Sequence, residues 1–235
     1  MKKVLMWLKI AIYLPAIYLS SLQSKKQSFE VRFEIVKAWS SLILRLCKVK
    51  LVVKGKNNVP LDPGLLFVGN HQSSIDAFVF LAGCPVPASA VSKIEGSRIP
   101  ILASWYKTLE VIFFDRDNVR DAIRMINELT QRLQDGYNMV IFPEGTRSYS
   151  NEVFEFKGGS FKPAIKAQVP IVPVAFIDGF KALDVKHRGR VTVQLIFCEP
   201  IHFEEYRDLN TQEIGDIVRA RIIETISMNI KEATL

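Results

Sequence analysis

The run Leu65-Leu-Phe-Val-Gly-Asn-His-Gln-Ser-Ser-Ile-Asp-Ala-Phe-Val-Phe-Leu-Ala82 changes character twice within eighteen residues. Residues 65–69 have the length and apolar composition of a buried strand. Residues 70–74 are polar, and from about 74 to 82 a helical apolar pattern takes over. A strand that feeds a helix through a polar loop is the repeating unit of an α/β sheet. Outward from it the alternation continues, with strands at 88–91, 111–114, 139–142, 171–176 and 191–197. Helices are expected over about 98–107, 118–134, 160–168 and 211–231, the second with Val119, Ala122, Ile126, Leu129 and Leu133 inward. The pattern predicts an α/β fold, a mixed sheet flanked by helices.

The chain of 235 residues is 49% hydrophobic and 23% charged, with 12 Gly and 11 Pro, which excludes a disordered, collagen-like or low-complexity protein. The turn-rich Lys54-Gly-Lys-Asn-Asn-Val-Pro-Leu-Asp-Pro-Gly64 introduces the globular part. The expected division is therefore residues 1–50 and an α/β domain of residues 51–235. Cys47, Cys84 and Cys198 are odd in number and contain no CxxC pair, which argues against a disulfide framework. His71, His187 and His202 stand at no zinc-ligand spacing, so no metal site is expected.

Charge divides the chain sharply. Residues 1–50 hold ten Lys or Arg against two Glu, a net +8, whereas the remaining 185 hold 21 basic and 22 acidic residues, a net −1. The basic end coincides with the most hydrophobic segment, residues 4–22, whose only charge is Lys9 and which contains Pro15. Anionic lipid fits this distribution better than nucleic acid does, since each Lys or Arg beside such a surface contributes ~1 kcal/mol. The segment is barely long enough to span a bilayer. With Lys9 able to snorkel, one shallow span stays open, but Pro15 and the short length favour a re-entrant or interfacial arrangement. Lys25 and Lys26, rather than a small-residue cleavage site, follow the run, which argues against a cleaved signal. Next, Phe29, Phe33, Val36, Ser40, Ile43 and Cys47 recur at spacings of four and three, with Arg32, Lys37, Arg45 and Lys48 off that stripe. Such a helix packs in a core or lies on a membrane. Beside the first segment it predicts a two-helix membrane-facing unit.

Three strand ends carry polar clusters: Asn70-His-Gln-Ser-Ser-Ile-Asp76, Phe113-Phe-Asp-Arg116 and Phe142-Pro-Glu-Gly-Thr-Arg-Ser148. His71 and Asp76 would not share a face of a regular helix. They can meet if His71 precedes the helix and Ser73 or Ser74 caps it. The carboxylate would then fix the imidazole tautomer and leave the other ring nitrogen as a general base. A capped helix start with a surface histidine explains the same residues. No serine or cysteine nucleophile accompanies the pair, because Gly158-Gly-Ser-Phe-Lys162 lacks the second glycine of a nucleophile elbow. A base here would activate a hydroxyl of the substrate. Arg116 and Arg147 could converge on an anion such as phosphate, or could each form a surface ion pair. No glycine-rich nucleotide loop is present.

As a set, these residues resemble the glycerolipid acyltransferase family, specifically the bacterial 1-acyl-sn-glycerol-3-phosphate acyltransferases. His71 and Asp76 match its HxxxxD motif, Phe114-Asp-Arg116 its second motif, Phe142-Pro-Glu-Gly-Thr-Arg-Ser148 its third and Val169-Pro-Ile-Val-Pro-Val174 its fourth. Lys93 falls where the family has a lysine, and Phe156-Lys-Gly-Gly-Ser-Phe161 resembles its FKxGxF segment. The resemblance covers about residues 55–200.

The resemblance implies that His71 deprotonates the acceptor hydroxyl and Asp76 orients it. It further implies that Lys93, Arg116 and Arg147 clamp a phosphate, and that Glu144, Gly145 and Thr146 line the substrate pocket. The implied partners are an acyl-CoA or acyl-carrier-protein donor, a lysophosphatidic acid acceptor and membrane lipids, with no metal or cofactor and no acyl-enzyme. The implied product is phosphatidic acid, made at the cytoplasmic face of the membrane. Two departures bear on the acceptor: Glu110 replaces a usual glycine, and Ser104-Trp105 stands where another is common. An enzyme acting on another lyso-lipid, and a lipid-binding protein without activity, remain the alternatives.

Overall fold

The computed structural model describes residues 2–98, 100–185 and 189–232, except the side chains at 2–7, 9, 97, 98, 100–102, 231 and 232. His187 and the side chain of Lys9 therefore lie outside the described residues. Seven strands form one sheet: β1 Val49–Lys54, β2 Leu66–Gly69, β3 Ser89–Lys93, β4 Ile112–Phe114, β5 Met139–Ile141, β6 Ile171–Ile177 and β7 Val191–Phe197. Their order is β1-β7-β6-β2-β5-β3-β4, and all neighbours run parallel except β6 and β7. The sheet is mixed, as the sequence predicts.

Successive residues of a strand point to opposite faces, and both faces of this sheet are buried. Phe67 joins Val172, Val174, Phe176, Leu195 and Phe197 in one core. Leu66 and Val68 join Ile171, Ala175 and Ile177 in the other. The first core is covered by α1 Lys2–Gln23, α2 Phe29–Leu46 and α3 Asp76–Gly83; the second by α5 Val119–Gln134, α6 Lys162–Ala167 and α9 Thr211–Glu232. The remaining α-helices among the described residues are α4 Pro100–Thr108, α7 Phe180–Leu183 and α8 Phe203–Tyr206. Fully burying a Phe such as Phe67 or Phe197 contributes roughly 1.5–3 kcal/mol.

Several expectations change. The sequence pattern does not predict strand β1, which pairs with β7 in parallel, and the boundary expected at residue 50 falls inside it. The apolar stripe of α2 faces protein: Phe33, Val36, Ser40, Ile43 and Cys47 are all buried, packed with α3 and β1. A period of 3.6 shows that a face is covered, not what covers it. Val119 is 76% exposed because it opens α5, where Asn118 caps the helix by accepting the N–H groups of Arg120 and Asp121; Leu129 and Leu133 are buried.

Helix α1 has two apolar faces. Ile10, Ile17 and Ser21 are buried where the helix meets α2 and α4, and Trp39 Nε1 donates to Ser20 Oγ at 2.8 Å. Leu8, Ile12, Leu19 and Leu22 project outward and are exposed. Among the described residues no helix is long and apolar enough to cross a membrane.

Candidate active site

Parallel neighbours bring their loops together at one edge of the sheet. Because β2 lies beside β5, the loops that follow them touch: Ser148 N–H donates to His71 O at 2.9 Å and Tyr149 N–H to Gln72 O at 3.2 Å. Because β2 also lies beside β6, the Asn70 amide can bridge to that strand, donating to Phe176 O at 3.0 Å and accepting Phe176 N–H at 2.8 Å. His71 thus leaves a loop pinned on both sides.

Asp76 organises that loop. Its Oδ2 lies 2.8 Å from His71 Nδ1 and accepts the main-chain N–H groups of Gln72 and Ser73 at 2.7 and 2.8 Å. The carboxylate reaches back to main-chain donors that precede the helix; α3 starts at Asp76 with Ile75 at its N-cap, so neither Ser73 nor Ser74 is the cap. Ser73 Oγ donates instead to Asp184. Asp76 is fully buried; burial pushes its carboxyl up, and the three hydrogen bonds oppose that shift. Gly179 packs against it: a Cβ there would stand 2.8 Å from Asp76 Oδ1. The imidazole rests on the Phe142 ring, centroids 4.6 Å apart, and its side chain is 23% exposed. With Nδ1 held by the carboxylate, Nε2 carries the lone pair and can accept a proton.

Glu144 approaches the same loop from β5. Its Oε1 accepts the main-chain N–H of His71 at 2.8 Å, and its Oε2 is buried without a hydrogen-bond partner. It is buried, and burial pushes its pKa up to about 7. Gly145 follows in the left-handed region, φ +72°, with Arg116 Nη1 and Lys157 Nζ close by. Thr146 is exposed. Arg147 hydrogen-bonds Ser74 Oγ and lies over the Tyr149 ring at 5.1 Å. Lys93 ends β3, exposed and in register with Phe114, two residues before Arg116.

His71, Asp76 and Glu144 therefore form one unit, with Gly145 and Arg116 adjoining it. Arg147 is engaged by Ser74 and Tyr149, and Lys93 stands at the neighbouring strand end. Lys157 was not singled out by its chemistry from the sequence; its signal was the FKxGxF segment. Among the described residues no group of His, Cys, Asp or Glu is arranged to hold a metal ion.

The two sequence departures have partners within the fold. Glu110 adopts φ +55°, a conformation that favours glycine, and its carboxylate bridges Arg32 of α2 and Arg132 of α5, each at 2.5 Å. Ser104 hydrogen-bonds Ser21 of α1, and Trp105 is buried against Phe78. Both are fold contacts of the N-terminal helices.

A carboxylate-held imidazole with its other ring nitrogen free of that bond is chemically able to act as a general base. A family model described as Acyltransferase matches residues 50–177, and the chain belongs to this acyltransferase family. It is similar to the probable 1-acyl-sn-glycerol-3-phosphate acyltransferase of Mycoplasma pneumoniae, 30% identical over 83% of this chain and 78% of that one. It is also similar to the human 1-acyl-sn-glycerol-3-phosphate acyltransferase alpha, 37% identical over 73% of this chain and 62% of that protein. The fold matches the crystal structure of the 1-acyl-sn-glycerophosphate acyltransferase PlsC from Thermotoga maritima. There the TM-score is 0.79 at 23% identity, covering 95% of this chain and 92% of that one.

Proposed function

We propose that this protein transfers a fatty acyl group from a thioester donor, acyl-CoA or acyl-carrier protein, to the free hydroxyl of 1-acyl-sn-glycerol 3-phosphate, giving phosphatidic acid. The observation that carries this reading is the His71–Asp76 pair. Its Nδ1–carboxylate bond of 2.8 Å leaves an imidazole whose side chain is 23% exposed. His71 Nε2 takes the hydroxyl proton as the oxygen attacks the thioester carbonyl. The tetrahedral intermediate expels the thiolate, which receives the proton from the imidazolium. Asp76 stabilises the imidazolium and holds the tautomer. Such a base contributes ~10²–10⁴-fold in rate. Arg116, with Lys93 and Arg147, supplies positive charge for the acceptor's phosphate, and Gly145 and Thr146 shape the pocket rim.

Residues 1–50 hold the enzyme on the cytoplasmic leaflet as a monotopic protein. The support is the outward face of α1, namely Leu8, Ile12, Leu19 and Leu22, flanked by the exposed Lys25 and Lys26. Apolar insertion and basic charge are two membrane signals, enough for stable attachment. The acceptor then need not leave the bilayer.

The test is purified protein with labelled palmitoyl-CoA and, separately, labelled palmitoyl-carrier protein, each with a panel of lyso-lipids, read by product chromatography. Phosphatidic acid formed in preference to every other product supports the reading. Transfer only to another lyso-lipid, or no transfer, overturns it.

A further inference from the structure

The loop after β5 doubles back on itself beside the active site. Lys157 N–H donates to Pro143 O at 3.2 Å, which lays the lysine alongside the Gly145 turn. A Cβ built on Gly145 would stand 3.0 Å from Lys157 Nζ and 3.7 Å from Arg116 Nη1. An ammonium and a guanidinium, brought in by different segments, thus face one point, and glycine leaves that point free. Among the described residues neither cation forms an ion pair. Glu95 and Asp117 act on Arg116 only through space. Two cations held this close repel one another unless an anion sits between them.

We propose that Lys157 and Arg116 are the two arms of a phosphomonoester seat over Gly145, and that the phosphate held there belongs to the acyl acceptor. The proposal rests on the acyltransferase reading and adds a residue to it. Position selects the acceptor over the donor. Gly145 directly follows Glu144, whose carboxylate is bonded to His71 N–H, so the seat adjoins the loop that carries the base. In 1-acyl-glycerol 3-phosphate the reacting hydroxyl and the phosphate sit on neighbouring carbons. In a CoA or carrier-protein donor a whole pantetheine arm separates the thioester from the nearest phosphate. A phosphate seated one residue from Glu144 therefore suits the acceptor. Arginine's planar fork suits two phosphate oxygens, and the lysine adds a point charge beside it.

Lys157 is exposed, so its replacement leaves the core untouched. The experiment measures KM for each substrate separately on wild type, Lys157→Ala and Lys157→Arg, with calorimetric titration of glycerol 3-phosphate on the same proteins. Lys157→Ala should raise the acceptor KM about tenfold or more at unchanged donor KM, and should weaken glycerol 3-phosphate binding by a similar factor. Lys157→Arg should restore most of both. An unchanged acceptor KM overturns the proposal, as does a rise confined to the donor KM. If wild type makes no phosphatidic acid, the acyltransfer reading fails; the titration still decides the seat, which falls if Lys157→Ala binds glycerol 3-phosphate as wild type does.

Discussion

Glu144 and His71 are joined through the backbone: the Glu144 carboxylate accepts the histidine's main-chain N–H at 2.8 Å, while the imidazole itself bonds Asp76. The acid of the Glu-Gly-Thr-Arg stretch thus supports the loop that carries the proposed base. Glu144→Gln keeps a carbonyl oxygen to accept that N–H and should retain activity within a few-fold. Glu144→Ala leaves the main-chain N–H of His71 without the acceptor it has in the fold. That costs about 1–3 kcal/mol of stability and lowers kcat. Parallel kinetics and denaturation of the two variants separate support from chemistry: a dead glutamine variant would make Glu144 an acid or base.

The same group sets a pH dependence. Folding raises the Glu144 pKa from 4.5 to about 7, so between those values the native state holds a proton that the unfolded chain has released. The stabilisation this proton brings is full below about pH 4.5 and is lost as pH rises through about 7. Relative to Glu144→Gln, wild type should lose about 2 kcal/mol between pH 5 and pH 8. Urea titrations at both values measure it, and an equal gap at the two pH values would show that the carboxyl ionises as freely folded as unfolded.

His71→Ala should leave the fold intact and reduce kcat by ~10²-fold or more, with a smaller effect on acceptor KM. Asp76→Asn should also fall sharply, since an amide can hold the wrong tautomer while still filling the buried site. Single-turnover rates on folded protein check both, and near-normal turnover in His71→Ala removes the base.

Glu110 combines a left-handed backbone with two ion pairs to Arg32 and Arg132. Burial alone would raise its pKa, but the guanidiniums of Arg132 and Arg32 together hold its carboxyl below the usual range. Either Glu110→Ala or Glu110→Gly removes both pairs, but glycine relaxes the backbone by roughly 1 kcal/mol. Thermal melts should therefore rank wild type above Glu110→Gly and Glu110→Ala lowest. Equal melting of the two variants would show that the backbone there carries no strain.

Ile12→Asp and Leu19→Asp place charges on the outward face of α1, away from its buried side. Sedimentation with vesicles containing anionic lipid should show each variant released at moderate salt while its melting temperature stays within a few degrees of wild type. Binding equal to wild type would mean that another surface meets the bilayer.

What the sequence made legible follows the range of each interaction. The His71–Asp76 pair is local, and the polar break between an apolar strand and an apolar helix exposes it. Glu144 and Lys157 depend on β5 lying beside β2 and on the loop returning to Pro143, arrangements set by strand order, which no single segment encodes. The motif resemblance placed Glu144 near the site, but its bond to the His71 backbone is visible only in the fold. Strand β1 escaped notice because Val49-Lys-Leu-Val-Val-Lys54 follows directly on a basic helix and lies at the sheet edge, where Lys50 and Lys54 face water. Hydrocarbon and protein core impose the same periodicity, so the stripe of α2 does not by itself tell which of them covers it.

The pairing of β1 with β7 has a consequence for synthesis. The first strand made finds its only neighbour in the last. At ~5–20 residues per second, Val49–Lys54 waits on the order of ten seconds for Val191–Phe197 to leave the ribosome. Throughout that interval α1 and α2 are complete, yet the far edge of the sheet beneath them does not exist, and Phe33, Val36 and Ile43 lack much of their eventual cover. A bilayer beside the ribosome shields such a surface from other nascent chains. The N-terminal helix proposed to fasten the finished enzyme to lipid would then first have used lipid as a chaperone.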